Sequence, residues 1–159
     1  MMKVRPDYRQ FLAETFGWLV LFCIAIALSP FLVRGECGMA VNLANAALSI
    51  SLIVFLLAKY IVIRSVCWIV DEETLCTKKG VFAKRTDYIE LYRVVDYTEK
   101  QTFLQSFFGV KTITIISTDK TDAILDIYGV PNRLDLIRHI RKKVEISKRN
   151  KHIYEITNN

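Results

Sequence analysis

Two stretches of this chain carry no formal charge: residues 15–33, 19 in succession, and residues 37–58, 22 in succession. Only Arg34, Gly35 and Glu36 separate them. An α-helix rises about 1.5 Å per residue, so roughly 20 apolar residues cover the ~30 Å hydrocarbon core of a bilayer. Both stretches meet that length. A helix in a soluble core keeps a polar stripe opposite its apolar face. Here residues 18–28 are apolar on every side, and residues 50–57 are too, apart from Ser51. A chain of 159 residues has too little else to cover two such rods. They therefore read as a transmembrane hairpin, with spans at about residues 12–33 and 38–60.

A cleaved signal sequence is the competing reading of the first stretch, because Lys3, Arg5 and Arg9 precede it. Its apolar run exceeds the roughly 7–15 residues of a signal core, no small-x-small cleavage site follows, and a second span comes at once. The flanking charges set the orientation. The N-terminal flank is basic, the connecting loop carries no net charge, and Lys59 and Arg64 follow the second span. The excess of Lys and Arg on cytoplasmic segments then places both termini inside, as a multi-pass protein of the cytoplasmic membrane. Tyr8, Trp18, Tyr60 and Trp68 stand near the span ends, where amphipathic rings favour the interface, with Trp68 alternatively part of the following domain. Cys23, Cys37, Cys67 and Cys76 fall in different regions, with Cys37 alone on the outer side, and form neither a disulfide framework nor a zinc motif.

From Arg64 onward, 17 Lys+Arg oppose 13 Asp+Glu, and the pattern changes to short alternating segments broken by turns. Strands are expected at 66–70, 74–79, 81–91, 94–102, 110–117 and 123–128. Turns fall at Asp71-Glu72-Glu73 and at 118–122, and a helical turn at 103–108 ends at Gly109. Gly129-Val130-Pro131 stops the last strand. Asn132 then reads as the N-cap of a closing helix, with Asp135 three residues on. Leu134, Ile137, Ile140 and Val144 give that helix one apolar face. The chain thus divides into residues 1–63 (flank and hairpin), a domain at 64–147 and a polar basic tail at 148–159.

The order of these signals resembles the membrane-flanked bacterial pleckstrin-homology family, the YdbS-like proteins. The features that carry the resemblance begin where the second span enters a Trp-containing strand at 63–70. A hairpin, Thr74-Leu75 to Lys79-Gly80-Val81-Phe82, follows, then Ile89-Glu90-Leu91 leading into Val94-Val95-Asp96. Gln101, Phe103-Leu104, Phe107-Phe108-Gly109-Val110, Ile113-Thr114-Ile115 and Ile127-Tyr128-Gly129-Val130-Pro131-Asn132 complete the set before the closing helix. The resemblance implies a membrane helical hairpin joined to a mainly-β domain. That domain would be a bent antiparallel sheet of about seven strands closed by a C-terminal helix. It brings no catalytic residues with it.

The residues themselves point away from an enzyme. His139 on the closing helix and His152 in the tail have no nucleophile or carboxylate pair beside them, and Asp71-Glu72-Glu73 lacks the ligand spacing of a calcium loop. No phosphate-binding glycine loop occurs. No cofactor, metal, nucleic acid or small-molecule substrate is expected. Lys78, Lys79, Lys84 and Arg85 flank one hairpin and suit contact with anionic headgroups. Asp71-Glu72-Glu73, taken as the first hairpin loop, would repel phosphates. The seven basic residues between 138 and 151 read as a solvated helix face, with loose headgroup contact second. In the second span Asn42, Asn45, Ala46 and Ser49 share a small, polar face suited to helix–helix contact, within the hairpin, in self-association or against a larger membrane partner. The expected function is a membrane-anchored interaction module that binds a protein or peptide partner and anionic lipid. An accessory subunit of a transporter or envelope complex, acting through its hairpin, is the alternative.

Overall fold

The computed structural model describes residues 1–32, 38–119 and 123–152. The expected outer loop with Cys37, part of the 118–122 turn and the end of the basic tail lie outside the described residues. The long helices are α1, Tyr8–Leu32, and α2, Gly38–Ser65. At 25 and 28 residues, each is long enough and apolar enough to cross a membrane. Only 11% and 6% of their most apolar windows are buried against the described residues, which is little for a core helix. In α2 the half-buried positions Asn45, Ser49, Leu52, Leu56 and Lys59, with buried Ile63, recur every three or four residues. That spacing is the seam of a packed antiparallel pair. Trp18 meets Phe55 and Phe11 meets Tyr60 edge-on across it, at centroid distances of 6.0 and 5.5 Å.

Seven strands occur among the described residues, in two antiparallel sheets: β1 Met2–Val4, β2 Cys67–Val70, β3 Thr74–Lys79 and β4 Arg85–Glu90 form the first, and β5 Val94–Lys100, β6 Val110–Ser117 and β7 Ile124–Pro131 the second. Six belong to the region that reads as strand-rich. The seventh, β1, comes from the N-terminal flank, where the sequence offers only a basic patch. It pairs with β2 in the register Met2↔Val70 and Val4↔Trp68, and Val4 enters the core. The whole α1–α2 hairpin is therefore inserted between two neighbouring strands of the domain's own sheet.

The core explains why these segments become strands. Trp68, Leu75, Ile89, Ile113, Ile115 and Ile127 alternate into the space between the sheets and are almost wholly buried. Trp68 packs edge-on against Tyr128 at 5.0 Å. Helix α4, Leu136–Asn150, closes the core with Leu136, Ile140 and Val144. Its start differs from expectation. Asp135, not Asn132, is the N-cap and accepts from the Arg138 N–H at 3.2 Å. Asn132 is used elsewhere: its Oδ1 accepts from Gln101 Nε2 at 3.1 Å and its N–H donates to the Gly109 carbonyl. The strand expected over 81–91 begins later, at Arg85, because Gly80 turns the chain at φ +116, where a Cβ would sit 1.8 Å from the Ala83 carbonyl oxygen.

Strand β7 continues through Gly129 instead of stopping there. The Asp7 N–H donates to the Gly129 carbonyl at 2.9 Å. A Cβ on Gly129 would lie 2.9 Å from the Gln10 Cβ and 3.1 Å from the Pro6 Cβ. Glycine is needed at this point so that the start of α1 can press against the sheet.

Candidate membrane-facing surface

Strand register decides which end of the domain adjoins the helices. Val4, just before α1, pairs with Trp68; Cys67, just after α2, pairs with Lys78; Lys79 pairs with Arg85. The β3–β4 hairpin tip therefore projects from the same end of the sheet as the helices. It brings together all four basic residues expected at a headgroup surface: Lys78, Lys79, Lys84 and Arg85 are exposed there. Arg85 also holds Asp87, Nε to Oδ1, at 2.7 Å. Sequence reasoning passed over the residue at the apex. Phe82 is fully exposed, with Val81 beside it, inside a Lys-Lys-Gly-Val-Phe-Ala-Lys-Arg segment. An apolar tip between paired cations is the signal that was available.

Asp71-Glu72-Glu73 occupies the opposite end. It joins β2 to β3 and is not the first hairpin loop, because β1–β2 is the first pair and the helices are its connection. The expected repulsion of phosphates at the first loop therefore does not arise. The acidic turn is structural. The Asp71 N–H donates to the Thr74 carbonyl, the Leu91 N–H to the Glu73 carbonyl, and Lys143 Nζ to the Asp71 carbonyl at 3.1 Å. The last contact shows that α4 runs away from the helical hairpin. Lys151 at its end pairs with Glu90 at 4.0 Å and lies over the Tyr92 ring. Four strand residues, about 13 Å, already separate Asp71 from the Cys67 row. That exceeds the ~8–10 Å screening length in salt, so the distal end of the basic α4 run is electrostatically separate from the β3–β4 tip.

A polar chain that the sequence did not disclose fixes the domain to the helices. Helix α3, Phe103–Phe108, opens with a capping box in which the Gln105 N–H donates to Thr102 Oγ1 and the Thr102 N–H to Gln105 Oε1. Gln105 Nε2 donates to Gln10 Oε1 at 3.0 Å and to Thr112 Oγ1 at 2.9 Å. Gln10 Nε2 donates to Glu14 Oε1 at 3.0 Å, and Glu14 pairs with Lys59 on α2 at 3.4 Å. Gln10 and Gln105 are both buried. Burial raises the Tyr128 phenol above its ordinary pKa, with the Glu14 charge adding to it.

Of the residues expected at helix contacts, Asn45 and Ser49 lie on the α1–α2 seam, where Ser49 Oγ donates to the Asn45 carbonyl at 2.7 Å. Asn42 and Ala46 face outward, so the four do not share one buried face. An apolar cleft of about 470 Å³ opens between the helices, lined in part by Trp18, Phe22, Leu48 and Phe55. His139 is exposed, with Nδ1 2.8 Å from the Asp135 carbonyl oxygen. Among the described residues, no three His, Cys, Asp or Glu side chains gather as metal ligands.

Two antiparallel sheets of four and three strands around one core, closed by a C-terminal helix, define a pleckstrin-homology-like domain; this one carries a long helical pair in its first strand connection. The family model described as bacterial PH domain matches residues 15–144, most of the chain, including all of α2 and the greater part of α1. The chain belongs to the bacterial PH-domain family. That match covers the family as a whole and does not single out its YdbS-like members. No curated protein and no solved structure matches significantly.

Proposed function

We propose that the chain is a membrane-anchored, non-enzymatic interaction module. Its hairpin crosses the cytoplasmic membrane with both termini inside. Its domain rests directly beneath that membrane and binds a protein or peptide partner. The observation that carries this reading is the insertion of the hairpin between β1 and β2. A domain tethered by a linker would sample many poses, whereas this one has a paired strand on each side of its anchor. The buried Gln105–Gln10 bond restrains it further. Charge asymmetry supports the orientation, and the β3–β4 tip would meet anionic headgroups, each cation adding about 1 kcal/mol near such a surface. With the anchor already in place, that attraction orients the domain rather than recruiting it. Domains of this fold generally act as interaction modules, and Tyr88 on the first sheet and Val95 and Ile124 on the second are exposed to a partner.

A second reading rests on the outward-facing Asn42 and Ala46 and, separately, on the apolar cleft between the helices. There the hairpin docks into a larger membrane complex, or onto another copy, and the chain is an accessory subunit. Photo-crosslinking of the full chain in its native membrane separates the two. A companion variant replaces residues 20–54 with an unrelated hairpin and keeps the helix bases that pack on the domain. A partner captured by both proteins supports the module. A partner lost with the native helices overturns it in favour of the subunit.

A further inference from the structure

Helix α3 has two sides of unlike character. Leu104, Gln105 and Phe108 turn toward the protein, while Phe103 and Phe107, one helical turn apart, are 84% and 75% exposed. In a water-soluble domain such a pair is an unexplained loss of burial. Its position supplies the explanation. Phe108 packs edge-on against Phe16 of α1 at 6.0 Å. Phe16 stands two residues beyond Glu14, the last charge before the apolar stretch, which is about 3 Å along the helix axis. The level at which α3 touches α1 is thus the level at which α1 passes from charged to wholly apolar sequence. The capping box and the buried Gln105–Gln10 bond fix the helix there.

We infer that α3 is an interfacial foot, and that Phe103 and Phe107 enter the headgroup–acyl boundary of the leaflet nearest the domain. The inference rests on the membrane-anchored reading and assigns to the bilayer a surface outside the basic β3–β4 tip. The occupant follows from continuity. Phe107 packs edge-on against Phe108 at 5.2 Å, and Phe108 against the part-exposed Phe16 of α1, so lipid that solvates α1 at Phe16 reaches the exposed side of α3 at the same depth. Short helices with aromatic side chains on one face lie in this boundary because rings gain apolar contact there while the polar flanks stay hydrated. With α3 as a second point of contact beside α1, the domain is held against rolling about the hairpin axis.

The test uses the full chain in vesicles of phosphatidylcholine and phosphatidylglycerol containing lipids with a nitroxide near the headgroup or near the chain end. Fluorescence is compared for Phe107→Trp, for Phe103→Trp and for the unmodified chain, whose own tryptophans are Trp18 and buried Trp68. Trp18→Phe isolates the Trp18 signal by difference. The expected result is a blue-shifted emission from Trp at 103 and at 107, quenched more strongly by the shallow nitroxide than by the deep one. Quenched Trp18 with unquenched, water-like reporters on α3 overturns the inference while leaving the anchor intact. Blue-shifted but unquenched reporters also overturn it, and show that protein, either a partner or a second copy, covers α3. Unquenched Trp18 overturns the anchor and the inference together.

Discussion

The hairpin and the domain hold their apolar side chains in opposite ways. The domain turns Trp68, Leu75, Ile113, Ile115, Ile127 and Leu136 inward until essentially none of their surface is exposed. The helices turn Leu21, Ile24, Leu43, Ile50, Val54 and Leu57 outward, each about half exposed or more. Leaving one such side chain in water forgoes roughly 1.5–3 kcal/mol, so a row of them calls for an apolar covering. The same residue types thus build a water-excluding core in one half and an exposed apolar surface in the other. Where the two halves meet, neither rule suffices, and the junction uses hydrogen bonds, a glycine and edge-on rings.

The sharpest way to break this comparison is truncation on each side of it. Trp68→Ala should cost the domain about 3–5 kcal/mol, because it empties the centre of the core and removes the Tyr128 contact. Ile50→Ala, at a position 64% exposed in α2, should leave domain stability unchanged within about 0.5 kcal/mol. Denaturant unfolding in detergent, followed by near-ultraviolet circular dichroism, reads both. Equal losses would mean that the helices are part of the domain core. Glycines give the next contrast. Gly129→Ala forces a Cβ into Gln10 and Pro6 at a positive φ, and should cost about 1–3 kcal/mol. Gly17→Ala, with nothing within 4 Å of its added methyl, should be neutral or stabilise α1 by about 0.5–1 kcal/mol. Thermal unfolding of the two variants side by side checks the difference.

How much was legible follows from the range of each interaction. The helices could be read because a charge-free run is a local property. The core strands of the second sheet could be read because Ile113 and Ile115 alternate, and the closing helix because Ile137, Ile140 and Val144 recur at helical spacing. The Asn132 cap was misplaced because Asn132 and Asp135 are both good caps, and the choice is made by Gln101, 31 residues away. Strand β1 was illegible for a deeper reason. Three residues carry no periodicity, and their partner strand lies beyond two membrane-length helices. The basic cluster at the β3–β4 tip was named from charge alone. Phe82 and the Phe103–Phe107 pair were passed over, since an aromatic residue reads as core until exposure is known. Likewise Gln10 reads as the polar edge of a span until Gln105 is seen to meet it.

The joint itself should respond in smaller steps. Gln10→Leu or Gln105→Leu leaves the other amide buried without its partner, at about 1–3 kcal/mol each. Because the two groups touch, the double variant should lose less than the sum, with a coupling of about 0.5–3 kcal/mol. Additive losses would show that the polar chain does not join α3 to α1. Glu14→Gln should have the smallest effect. Its ion pair with Lys59 is part-exposed, and such pairs contribute about 0–1 kcal/mol. Its distinct mark is on Tyr128, whose phenol is raised first by burial and second by the Glu14 charge. A phenol raised in the folded state adds no pH dependence below its unfolded value of about 10. Above that pH the unfolded chain ionises first, and stability falls until the folded group also titrates. In Glu14→Gln the burial contribution remains and the charge contribution is gone. Tyr128 should then titrate below its position in the unmodified chain yet still above an ordinary tyrosine, and the alkaline loss of stability should be smaller. Phenolate absorbance, corrected with Tyr128→Phe, measures the shift; an unmoved titration would mean that Glu14 serves the helix pair alone and does not reach the domain.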